Sequence, residues 1–115
     1  AIGAVIGVGT WGLLRESLNL ALDAVPASIQ AGEVEAYLAS LPGIKAVHDL
    51  HIWAMSTTEI ALTVHLVKPD AVIDDAFLEQ IANELLERFD IAHTTVQFEL
   101  GDGPFSCRQA PAETV

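Results

Sequence analysis

Two runs of alternating apolar residues, Lys45–Ala54 and Glu59–Lys68, flank the polar stretch Ser56-Thr57-Thr58, and this pair constrains the fold more than any other feature. Period two means a strand with two unlike faces, and a short polar break between two such runs means an antiparallel hairpin. The flanking segments narrow the topology. Gly32–Leu41 sets Val34, Leu38 and Leu41 on one helical face with Tyr37 beside them, and Pro42-Gly43 stops that helix. Asp74–Phe89 repeats Phe77, Leu78, Ile81, Ala82, Leu85, Leu86 and Phe89 at the 3.6 period, with Glu79, Glu84, Glu87 and Arg88 opposite. Asp74 and Asp75 suit its positive N-terminus. Ala92–Leu100 returns to alternation. A right-handed crossover places this last strand parallel to the second and both helices on one side of the sheet. The predicted fold class is α+β, a ferredoxin-like α-β-β-α-β two-layer sandwich. At 115 residues and 51% hydrophobic, the chain has material for one compact core.

Ahead of this unit lies AIGAVIGVGTWGLL, Ala1–Leu14, without a charge. As helix it would reach about 21 Å, short of the roughly 30 Å bilayer core, so it cannot cross a membrane alone. Three readings stand: the last part of a transmembrane helix, a buried core helix, or a strand. Gly3 and Gly7 at small-xxx-small spacing, Trp11, and then Arg15 are the cues that match a span leaving the membrane on the cytoplasmic side. Leu14, Leu18, Ala21, Leu22 and Val25 continue the helical spacing up to Pro26. Ala1 in place of Met, with no signal-peptide layout, leads us to expect a piece of a longer protein. The expected organisation is residues 1–27 as helix end and linker, 28–105 as the folded domain, and 106–115 as a flexible tail.

One sheet face is left without a helix. Ile60, Leu62, Val64, Leu66, Val96, Phe98, Leu100, Leu50 and Ile52 form the core set, so His65, His93, Glu99, Asp49, His51 and Trp53 look out from the bare face. Matching the core residues across the hairpin needs an odd loop. A three-residue loop, Ser56–Thr58, sets Trp53 opposite Ala61 and Asp49 opposite His65, with His48 where the strand begins. A bare face carrying Trp53, Ala61 and Val67 suits a second copy of the chain better than water, and predicts a homodimer.

Histidine and carboxylate converging from several strands, with a thiolate nearby, is a zinc-type ligand set, since Zn²⁺ takes N, O and S donors at about 2.0–2.3 Å. Histidines that only hydrogen-bond locally produce the same spacing. The charge balance points the same way as a cation site: 5 Lys+Arg against 16 Asp+Glu, a net charge of −11, repels phosphate backbones, so no nucleic-acid partner is expected. Acidic helix faces that serve only solubility give the same number. Cys107 is the one cysteine, which excludes an internal disulfide. No nucleophile–base pair is visible, and Arg15, Arg88 and Arg108 sit in linker, helix and tail rather than in an anion-cradling loop, so the chain is not expected to be an enzyme. The alternative to metal binding is a stand-alone ferredoxin-like module for a small molecule, which would need glycine-rich ligand loops.

GTWGLLRESLNLALDAVP, LPGIKAVHDLHIWAMSTTEIALTVHL and HTTVQFE, with a trailing cysteine, occur in that order across nearly the whole chain. Together they resemble the cation diffusion facilitator family of zinc and related heavy-metal efflux transporters, in its CzcD-like branch. The resemblance implies the end of the last transmembrane helix followed by a cytoplasmic domain that dimerises, in a parent protein of the inner or plasma membrane that exchanges divalent metal for protons. It implies metal ligands at His48, His65 and His93, with Glu99 from the last motif and Asp75 where some members carry a helix histidine. The implied ion is Zn²⁺, with Co²⁺ and Cd²⁺ as further candidates. His51 and Trp53 are implied to be structural or interfacial, and Thr95 stands where some members have an aspartate.

Overall fold

The computed structural model describes residues 1–104 and 106–111. Its elements follow in the order α1 (Ile2–Ala21), α2 (Ala31–Ala39), β1 (Ala46–Ala54), β2 (Ile60–Val67), α3 (Asp75–Phe89) and β3 (His93–Glu99). The sheet order is β1-β2-β3, with β1 antiparallel and β3 parallel to β2, as the crossover argument requires.

The core lies between the sheet and the pair α2 and α3. Val34, Leu38, Leu62, Val64, Leu66, Ile81, Leu85 and Ile91 are fully buried there, each removal of such a side chain from water contributing about 1.5–3 kcal/mol. Helix α3 is closed at both ends. The Asp74 side chain accepts from the Phe77 N–H at 2.8 Å, and Asp90 ends the helix in the left-handed conformation with Arg88 in the last turn. In α3 only Ile81 and Leu85 are buried, while Leu78 and Leu86 stay exposed, so the apolar stripe read from the period is wider than the face the sheet covers.

Helix α1 buries none of its side chains, and Ile2, Val5 and Val8 are each more than 70% exposed (78%, 74% and 79%). This places the run outside the core, against the buried-helix and strand readings. Among the described residues no helix is long and apolar enough to cross a membrane.

The hairpin register departs from regular pleating at one point. Next to the loop, Trp53 pairs with Ala61 as expected, but His48, not Asp49, pairs with His65, because the register shifts between His48 and His51. One extra residue sits in β1 there, and Asp49 takes φ 50, a left-handed conformation that aspartate tolerates better than most side chains. The bulge flips the phase of β1. Val47 packs against the core beyond it, and His48 turns onto the face without helices.

Candidate metal centre

That flip assembles a cluster at one end of the helix-free face. His48 from β1, His65 from β2, Glu99 at the end of β3 and Cys107 beyond it each offer one donor atom, and these atoms all lie within 4.8 Å of one another. The His48 Nε2–H donates to Glu99 Oε2 at 3.1 Å. His65 Nδ1 lies 2.9 Å from Glu99 Oε1 and 3.5 Å from Cys107 Sγ. The two imidazoles meet edge to face, with centroids 5.2 Å apart.

Cys107 reaches this point because the chain reverses after β3. Gly101 takes φ 77 and lies so close to Val67 Cγ1 that a Cβ would collide with it, so only glycine makes this turn. The thiol lies outside every periodic element of the sequence, which placed it in a tail; the reversal carries it back over the open face.

The electrostatics favour a cation. The Asp49 side chain is 9% exposed and Glu99 18%, so two carboxylates are held in a partly dry pocket. Burial works to raise the Glu99 carboxyl, but hydrogen bonds from Cys107 and His48 and the neighbouring imidazoles outweigh it, and the group sits below the ordinary glutamate range. The Gln109 backbone lowers the Cys107 thiol, while burial, a hydrogen bond to Glu99 and the charges of Glu99 and Asp49 push it up, with a net rise.

The donor set fits a metal of the zinc type. Ligand atoms at about 2.0–2.3 Å from tetrahedral zinc stand roughly 3.3–3.8 Å from one another, close to the spacings of this group. His48 Nδ1 is buried without a hydrogen-bond partner among the described residues, an uncompensated lone pair in a site that otherwise satisfies its polar atoms.

Of the five ligand positions expected from the sequence, the structure brings together His48, His65 and Glu99 and leaves two apart. His93 pairs with Ala61 in the sheet, whereas the site is at the level of His65 and Gln97. Four residues of strand separate those levels, about 13 Å. There His93 is half exposed and lies 3.6 Å from Glu59 Oε1. Asp75 opens α3, on the side of the sheet that carries the helices, and is exposed. Alternation had assigned His93 to the correct face, but a face says nothing about position along the strand. Asp49, expected directly opposite His65, instead sits on the bulge at 3.5 Å from His65 Nε2.

Residues 26–100 match the family described as cation efflux protein, cytoplasmic domain. The cation efflux system protein CzcD of Alcaligenes sp. is 42% identical over 117 residues, covering 97% of this chain and 36% of that protein. A probable zinc transporter of Dictyostelium discoideum is 45% identical over 101 residues, covering 85% of this chain and 18% of that protein. The chain thus spans about a third or less of the length of these relatives (36% and 18%). Among solved structures, the metal-bound C-terminal domain of the CzcD transporter from Cupriavidus metallidurans is 42% identical, with a TM-score of 0.56, covering 63% of this chain and all (100%) of that one.

Proposed function

Since the chain belongs to the cation efflux protein family and carries its cytoplasmic domain, we propose that it senses divalent metal, Zn²⁺ foremost, through His48, His65, Glu99 and Cys107. One observation carries this reading: nitrogen, oxygen and sulfur donors from four separate segments converge within 4.8 Å, beside a second buried carboxylate. Nothing in packing the core requires that convergence. A bound ion supplies the positive charge that Asp49 and Glu99 face, and it replaces the weaker N–H and S–H contacts that tie the cluster together without it.

The parent protein, on this reading, exports divalent metal across the inner or plasma membrane in exchange for protons, and α1 is the end of a membrane helix. The domain itself performs no reaction. It works as a homodimer through the helix-free face, where His51 and Thr63 pair two residues along β2 from His65 and Trp53 lies further along, opposite Ala61. An ion that binds more tightly in one packing of the two copies shifts the equilibrium toward that packing, by its difference in affinity and no more.

Calorimetric zinc titrations of the unmodified chain, His65→Ala and His93→Ala test the assignment, with sedimentation of the same samples to follow assembly. We expect His65→Ala to lose zinc affinity by at least about 10-fold, in line with the cost of disturbing even outer ligands, and His93→Ala to keep it. The reverse pattern would move the site to the other end of the sheet, and a chain that stays monomeric with and without zinc would remove the dimer.

A further inference from the structure

Asp49 is a nearly buried carboxylate that the metal cluster does not include. Its backbone sits at φ 50 on the β1 bulge, and its two oxygens are shared between two histidines. The His51 Nε2–H donates to Oδ1 at 3.0 Å, and Oδ2 lies 3.5 Å from His65 Nε2. The His65 ring is therefore two-sided. Its Nδ1 faces Glu99 and Cys107, and its Nε2 faces Asp49.

From this arrangement, and resting on the metal reading above, we infer that Asp49 is the positioning residue that commits His65 to bind metal through Nδ1, with His51 holding the Asp49 carboxylate in place. An imidazole nitrogen must be bare to bind a metal ion, so the ring's one proton goes to the other nitrogen. With Nδ1 on the metal, the proton sits on Nε2, 3.5 Å from a carboxylate that attracts it. With Nε2 on the metal, the ligating nitrogen would lie on the far side of the ring from Glu99 and Cys107, and the ion would lose those two donors. A carboxylate behind a ligating histidine fixes the tautomer and the ring orientation and makes the ligand more basic.

The bulge is what makes the support possible. Regular pleating would set Asp49 directly opposite His65, on the face itself, where it would compete as a ligand. The extra residue moves His48 into that place and draws Asp49 behind the ring. His51, with its side chain 44% exposed, extends the chain of contacts from the cluster to the open face.

The test uses the whole chain with zinc alone as the probe. Long-range ¹⁵N–¹H correlation spectra of the zinc-loaded protein report which nitrogen of His65 binds, and calorimetry reports affinity for the unmodified chain, Asp49→Gly and Asp49→Asn. Glycine keeps the left-handed backbone and removes the carboxylate, while asparagine keeps both that conformation and an acceptor oxygen. We expect ligation through Nδ1 in the unmodified chain, with an Nε2–H signal protected from solvent exchange. Asp49→Gly should bind zinc about 10–100-fold more weakly and lose that protection, with Asp49→Asn between the two. Ligation of zinc through His65 Nε2 in the unmodified chain overturns the inference whatever the variants do. Asp49→Gly binding within about twofold of the unmodified chain overturns it too, since an outer-shell partner should cost about 10-fold. An unmodified chain that binds no zinc overturns the metal reading and this inference with it, a different result from either.

Discussion

Replacing Cys107 by serine should change the proton count of zinc binding by about one. The thiol is flanked by Glu99 and Asp49, and their charges, with burial and the hydrogen bond to Glu99, outweigh the opposing Gln109 backbone contact and push it above its ordinary range. At pH 7.5 a thiol with the usual value near 8.5 is already about 90% protonated, and one pushed higher is more so. Zinc binds sulfur as thiolate, so each ion that takes Sγ must eject about one proton from Cys107. Serine offers a hydroxyl that neither ionises here nor competes well as a donor. Titrating zinc into the protein at pH 7.5 in two buffers of different ionisation enthalpy gives the protons released per ion from the slope of heat against buffer enthalpy. We expect Cys107→Ser to release about one proton fewer and to bind at least about 10-fold more weakly, a direct ligand costing no less than an outer one. Equal proton release and equal affinity in both proteins would refute the reasoning and confine the metal to His48, His65 and Glu99.

Zinc affinity should fall between pH 7.5 and 5.5, because an imidazole nitrogen must be bare to bind the ion and more than one proton competes with each ion; a profile flat over that range, measured by titration, would mean the histidines are structural. The Glu99 carboxyl is held below the ordinary range, so the stability it contributes is present above the unfolded value near about 4.3 and is lost as pH falls through its lowered folded value. Urea midpoints of the metal-free chain should therefore drop more steeply below about pH 4.3 than those of Glu99→Gln, and parallel curves would contradict this. Leu85→Ala, at a site with 0% exposure beneath the sheet, should cost about 2–5 kcal/mol in urea denaturation, and a loss under about 1 kcal/mol would mean that α3 does not pack as described.

Much of the architecture is legible in the sequence alone. The alternation of Ile60, Leu62, Val64 and Leu66 and the 3.6 period around Ile81 and Leu85 are local patterns, and each is the direct imprint of an element with one buried face. The order of the elements and the handedness of the crossover then required β3 to run parallel to β2, and the short loop tied Trp53 to Ala61, because near a tight turn register is a local property. His48, His65 and Glu99 came from resemblance to a family and from the expectation of a face without helices.

The centre itself was decided by tertiary structure. Alternation tells which face a side chain occupies, but not how far along the sheet it lies, and that distance separates His93 from the cluster. A bulge leaves almost no trace in composition. Asp49 reads as one more polar residue of a strand, yet its left-handed backbone turns His48 toward His65 and sets its own carboxylate behind the ring. Cys107 has no periodic neighbours at all, and it reaches the site through the Gly101 reversal packed on Val67. Elements arise from interactions within a few residues, so a sequence records them directly. A metal centre built from β1, β2, β3 and the segment beyond depends on offsets between segments distant in the chain, and those offsets are set only when the segments pack.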